Sequence, residues 1–416
     1  MSNKISKNLA DLLIFLIQEQ INDESATIIK EIINFQIQNK AITKKSLKDK
    51  YILNKPANMN NFEHLFTRFI NLDYIEIKGQ NEDIILKIDN ILNILLYSRY
   101  CYYFNSIYGV KYLKIIEYIL EYGYYSFEDG QNPKGINFTR NDFDILIKDG
   151  LITTNNHIEK EEQNNINDIR TKSQEIFKIN YNLLNRIIFK EYIINFYRIF
   201  ISMNYQYYNI FKKVVKSENF SYELKDDEKT SLDGLPHDNL DYDKLLIKEN
   251  NKVTINKDII KYDLFYNSIE KIIKLIFSSK HIRIIKIIQR NQNLNIYQIS
   301  QTACLKALEV EEILDELVNK VKIINKVKNE EDSNNDSDKY VYCLREINST
   351  FMNMMKDNIY GIIKNIKFEL KDKLKELQGR ISKETEVQYI NKYYSLVNTF
   401  SEILNCYYFL FENNSK

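Results

Sequence analysis

"NNFEHLFTRFINLDYIEIKGQNEDIILKI" (60–88) changes its hydrophobic period halfway along, and that change decides the fold. Phe62, Leu65, Phe66, Phe69 and Ile70 recur at i, i+3, i+4, i+7 and i+8, the stripe of one helix face. From Tyr74 the pattern alternates through Ile75, Glu76, Ile77 and Lys78, as in an extended chain whose side chains point to opposite faces. Gly79-Gln80-Asn81 supplies a turn, and Ile84 to Ile88 reads as the return strand. A helix therefore runs straight into a β-hairpin.

The same order recurs along the chain. In "FDILIKDGLITT" (143–154) a stripe of Phe143, Leu146 and Ile147 stops at Gly150 before a short strand. Its partner is expected in "IFKIN" (176–180), across an acidic, Asn-rich loop from 155 to 175. In "EVEEILDELVNKVKIINKV" (309–327) the stripe is Val310, Ile313, Leu314, Leu317 and Val318. Val321 to Val327 reads as its strand and "YVYCL" (340–344) as the return, across "KNEEDSNNDSD" (328–338). Two helical segments precede such a helix: Ala26 to Gln38 and Lys44 to Lys50 in the first unit, Lys271 to Gln289 and Ile296 to Cys304 in the last. Three helices closed by a two-stranded wing form the winged-helix variant of the helix-turn-helix, in units of about 80 to 90 residues. A fainter copy joins "YNLLNRIIFKEYIINFYRIF" (181–200), "YQYYNIFKKVV" (205–215), a polar loop with Pro236, and the hairpin-like "LLIKENNKVTI" (245–255).

After residue 345 the period becomes a near-heptad. Ile347, Phe351, Met355, Ile359, Ile362, Ile366, Leu370, Leu374 and Leu377 repeat every three or four residues. Gly379 interrupts them, and Val387, Ile390, Tyr394, Val397, Leu404, Tyr408 and Phe411 resume. Two helices sharing one apolar seam predict an antiparallel coiled-coil hairpin, with Phe351, Ile366, Leu370, Leu374, Val397 and Leu404 as its partner-binding positions. The expected fold is mainly α with small β-wings. Four tandem winged helices (1–92, 93–180, 181–265 and 266–345) are followed by the coiled-coil hairpin (346–416).

Composition bounds the function. With 58 Lys+Arg against 57 Asp+Glu in 416 residues, net charge is +1, so any nucleic-acid contact must come from a local patch. Cys101, Cys304, Cys343 and Cys406 form no CxxC pair, which argues against a zinc site or a disulfide framework and fits a reducing compartment. "KISKNLADLLIFLIQEQ" (4–20) reads as an amphipathic helix interrupted by Asp11, not a leader. No uncharged apolar run reaches the roughly 18 residues that cross a bilayer, so a soluble protein with no membrane partner is expected. His64, His157, His237 and His281 lie in unrelated segments, and neither a GxxxxGK[ST] loop nor metal-spaced carboxylates occur. No enzyme, cofactor or small-molecule substrate is expected.

Two kinds of segment remain as candidate surfaces. "LLYSRYCYYF" (95–104) is either a stacking platform for unpaired bases or a packed joint between neighbouring modules. Its place after the first wing favours the joint, with Tyr97, Arg99, Tyr100, Tyr103 and Phe104 as its members and Arg99 hydrogen-bonding across it. "ITKKSLKDKY" (42–51) places Lys44, Lys45, Lys48 and Lys50 on the first unit's second helix. "SSKHIRIIKIIQR" (278–290) gives a stripe of Lys280, Arg283, Lys286 and Arg290 opposite Ile282, Ile285 and Ile288. Either basic set is a solvated face or a phosphate contact. The third helices, "EVEEILDEL" (309–317) and "NMNNFEHLF" (58–66), lack the cations of a major-groove reader, so promoter DNA is expected to bind only weakly.

The order of these segments resembles the RNA polymerase III subunit RPC-three family over nearly the whole chain. Tyr97-Ser98-Arg99-Tyr100 is similar to the R-Y-P-R-Y-type segment that the family carries after its first wing, although Ser98 stands at the proline and Leu96 at the first arginine. Asn180 followed by Phe189-Lys190-Glu191 is similar to the Asn-containing helix and Phe-Arg-Asp-like triplet opening the family's third winged helix. "FSSKHIRIIKIIQRNQNLNIYQISQTACLKALEVEEILDELV" (277–318) resembles the family's last module in length and helix order. The chain is shorter than typical members around the third unit. The resemblance implies a nuclear, non-catalytic polymerase subunit docked on the clamp of the largest subunit. Its partners would be two smaller subunits of a heterotrimer, acting in promoter recruitment and DNA opening at transfer-RNA and 5S ribosomal RNA genes. The competing readings are a helical-repeat scaffold ending in one winged helix, of proteasome-lid or translation-initiation type, and a tandem winged-helix general initiation factor.

Overall fold

The computed structural model describes residues 5–38, 40–54, 59–79, 81–127, 138–160, 171–201, 205–225, 228, 245–291, 293–328, 340–345, 357, 360–365 and 368. These residues are mainly helical, with small antiparallel sheets. They divide into two compact units, Met1–Glu191 and Tyr192–Lys416. The boundary placed at 265/266 falls inside a continuous helix, Lys257–Ile276, because Asn256 caps that helix and its apolar period runs on without a break. The coiled-coil positions Phe351, Ile366, Leu370, Leu374, Val397 and Leu404 lie outside the described residues.

The first unit begins with α1 (Lys7–Gln20) and α2 (Asp23–Ile37). Ser6 Oγ accepts the Leu9 amide and Asn22 Oδ1 the Ser25 amide, so each helix start carries a side-chain cap. Then come α3 (Lys44–Asn54), α4 (Met59–Asn71) and the hairpin β1 (Ile75–Lys78) and β2 (Asp83–Leu86). Phe62, Leu65, Phe66 and Phe69 are buried as their spacing predicts, while Ile70 is 38% exposed at the edge of the stripe. In the hairpin, Ile75 faces Leu86 and Ile77 faces Ile84. Gly79 (φ +72°) and Glu82 (φ +54°) make the turn, and Ile88, expected in the return strand, instead opens the short helix α5 (Ile88–Leu92).

A helix that the wing pattern did not predict leads the second set of elements: α6 (Tyr97–Ile107), then α7 (Val110–Tyr122), α8 (Arg140–Lys148) and a hairpin of β3 (Ile152–Lys160) and β4 (Thr171–Ile179). Much of the expected loop 155–175 is therefore strand, its register continuing from Ile152 opposite Ile179 out to Lys160 opposite Thr171. Polar residues can pair there because the ribbon's ladder asks only for backbone amides.

The division falls within α9 (Tyr181–Ile201), and the second unit continues with α10 (Tyr205–Lys216), β5 (Ser221–Glu223), β6 (Leu246–Glu249), β7 (Lys252–Ile255) and α11 (Lys257–Ile276). It continues with α12 (Ser279–Arg290), α13 (Ile296–Ala303), α14 (Ala307–Glu316), β8 (Ile324–Lys328) and β9 (Tyr340–Leu344). The helix expected over 271–289 is two helices. Phe277 leaves helical geometry and Ser278 is extended, in the one stretch between Ile276 and Ile282 that carries no isoleucine. The strand expected from Val321 starts at Ile324, because residues Leu317–Val321 form a wide helical turn that ends at Lys322 with φ +58°.

One topology recurs four times. After a helix, a short extended segment pairs antiparallel with the return strand of the following hairpin: Thr43 with Asp83, Tyr125 with Phe177, β5 with β7, and Leu294 with Tyr342. The backbone bonds are Ile84 N to Ile42 O at 2.9 Å, Tyr125 N to Phe177 O at 3.0 Å, and Tyr342 N to Leu294 O at 2.8 Å. Each return strand thus lies between its hairpin partner and this extra segment. The helix carrying the segment is preceded every time by another, α1, α6, α9 or α11.

Capping fixes where the third helix of the second set begins. Asp142 Oδ2 accepts from Thr139 N at 2.8 Å and Thr139 Oγ1 at 2.7 Å, and pairs with Lys111 Nζ at 2.6 Å. Burial works against its charge, but these donors win and hold the carboxyl below its ordinary value. A depressed folded value means stability that is present above the unfolded value, about 3.9, and lost as pH falls through the folded one. Asp142→Asn is expected to cost about 1–3 kcal/mol at neutral pH. It should also remove this part of the acid dependence, as checked by urea unfolding of both proteins across pH 2.5 to 6.

Candidate nucleic-acid and docking surfaces

The aromatic segment is helix α6 itself rather than a strip between modules. Tyr100 and Phe104 are fully buried with Leu96, Ile115, Ile119 and Phe143 in the core of the second set of elements, so neither can stack on a base. Tyr97 reaches the other way: its hydroxyl lies 3.1 Å from that of Tyr74, the buried residue at the head of the first hairpin. Tyr103 packs edge-on against Phe104 and Tyr108, and Arg99 is half-buried on the same helix. The aromatic that does face outward, Tyr102, is 76% exposed and was not singled out by the sequence. A helix built into one core while touching the preceding hairpin joins the two by packing.

A polar network closes the inner side of this helix. Tyr100 donates to Asn185 Oδ1 at 2.5 Å and lies 3.2 Å from Asn93 Oδ1, which accepts from Asn185 Nδ2 at 3.1 Å. Burial pushes the Tyr97, Tyr100 and Tyr181 hydroxyls well above their ordinary range, so they stay neutral donors. Asn180 adds a second tie: its Nδ2 donates to Gly150 O at 3.0 Å and its Oδ1 accepts the Leu183 amide at the start of α9. Tyr100→Phe keeps the ring and removes one donor. The stranded amide oxygen is expected to cost about 1–3 kcal/mol, read as a lower urea midpoint with an unchanged denaturant slope.

Both basic segments are exposed or half-exposed stripes, yet most of their charges already have partners. Glu63 on α4 pairs with Lys44 at 2.8 Å and Lys48 at 2.6 Å, and those two hydrogen bonds hold its carboxyl below its ordinary value. Lys50 lies 3.5 Å from Glu31 and over the Phe35 ring. Lys45 is exposed. On α12, Lys280 pairs with Glu309, Lys286 with Glu270 at 2.9 Å, and Arg283 donates to Ala303 O, a C-terminal carbonyl of α13, at 3.1 Å. Arg290 is exposed. The buried side of this helix is Ile284, Ile285 and Ile288 with His281, whereas Ile282 is only partly buried. Pairs this exposed stabilise little. They do cancel charge, and a phosphate would have to displace a carboxylate already in place.

Folding also gathers three residues that sequence reading left apart. Ser278 Oγ lies 3.0 Å from His281 Nδ1, and His281 Nε2 lies 2.8 Å from Glu316 Oε2, with the imidazole stacked on Phe277 and 7% exposed. The ring nitrogens are used in the opposite sense from a serine-hydrolase triad, and the hydroxyl belongs to the residue preceding α12. The chain of bonds ties the start of α12 to the end of α14. Lys320 and His281 together hold the Glu316 carboxyl below its ordinary value.

Among the described residues, no group of three His, Cys, Asp or Glu side chains could hold a metal, and no helix is long and apolar enough to cross a membrane. Burial raises the Cys101 thiol to about 11 and also raises that of Cys343, so neither is a ready thiolate. No family model matches the chain, and no curated protein matches it.

Proposed function

We propose that the chain is a non-catalytic, nuclear subunit of RNA polymerase III, built from four winged-helix modules and a C-terminal coiled-coil hairpin. On this reading it docks on the clamp of the largest subunit, associates with two smaller subunits of the same heterotrimer, and supports promoter recruitment and DNA opening at transfer-RNA and 5S ribosomal RNA genes. The observation that carries it is the fourfold recurrence of a short strand, laid after a helix and paired with the return strand of a hairpin. In a winged helix the small sheet is closed in this order. The proposed domain division is 1–92, 93–180, 181–265, 266–345 and 346–416, with the helix Lys257–Ile276 running across its third boundary.

The paired state of the basic stripes favours scaffold faces over sequence-specific readers: DNA contact is then weak and steeply salt-dependent. A helical-repeat scaffold of proteasome-lid or translation-initiation type would carry one hairpin at its end, whereas hairpins here are spread from Ile75 to Leu344. A tandem winged-helix general initiation factor differs in its partners. Affinity purification of the tagged full chain from its own cells, with mass-spectrometric identification, tests the assignment. Recovery of the large polymerase III subunits in stoichiometric amount is expected; lid or translation-initiation subunits in their place would replace it.

A further inference from the structure

We draw no further inference here: the strongest candidate, the Ser278–His281–Glu316 side-chain cluster between the start of α12 and the end of α14, spends both imidazole nitrogens in tying those two helix ends together, and nothing in the structure points to a ligand at its exposed hydroxyl.

Discussion

Gly123→Ala is expected to be the most damaging single-methyl change in the first unit. Gly123 follows α7 with φ +91°, a left-handed conformation that costs a residue with a Cβ about 1–2 kcal/mol by itself. The larger part comes from its surroundings. A Cβ here would lie 2.6 Å from Leu72 N and closer still to the carbonyl of Asn71, so the ends of α4 and α7 meet backbone to backbone. Neither side can give way cheaply: Leu72 N donates to Arg68 O, Tyr74 N to Phe69 O, and Gly123 N to Ile119 O. The total is expected at about 4 kcal/mol or more, in the range kept for enforced overlap in packed regions. Gly79→Ala is the control. It shares the positive φ (+72°) but has open space where the methyl would go, so it should show the conformational cost alone. Urea unfolding of the three proteins compares them. Equal losses at the two positions would mean that the two helix ends are not in contact.

Phe143→Ala is expected to follow closely, at about 3–5 kcal/mol. The ring is fully buried, its centroid 4.6 Å from that of Phe177 and 4.7 Å from that of Tyr125, on which it stacks. Tyr125 and Phe177 are also the pair whose backbones bond in both directions to close the small sheet, so the cavity opens directly beneath that bridge. The loss should therefore appear in hydrogen exchange of the Tyr125 and Phe177 amides as well as in global unfolding. Ile145→Ala, on the same helix but 38% exposed, should change stability by only about 0.5 kcal/mol.

Much of the local structure was legible because it obeys a period. Phe62, Leu65, Phe66 and Phe69 announce a buried helix face, and the alternation from Tyr74 announces the hairpin, since each depends on neighbours a few residues away. Short breaks are less legible. Only Phe277-Ser278 separates two isoleucine-rich helices, whose isoleucines resume after Ile276 at Ile282, and Leu317 to Val321 keeps an apolar spacing while its backbone widens. The candidate surfaces were legible as stripes of cations, yet the carboxylates that cancel them lie 15 residues away for Lys48 and 29 for Lys280. No local pattern reports pairs at that distance.

By itself the sequence determined the helix faces and the hairpins, because hydrophobic period is a property of consecutive residues. Tertiary structure alone decided that Thr43, Tyr125, Ser221 to Glu223 and Leu294 each become the third member of a small sheet. A pairing of one to three residues has no periodicity of its own. It exists only when packed helices carry two distant backbone segments within hydrogen-bonding reach.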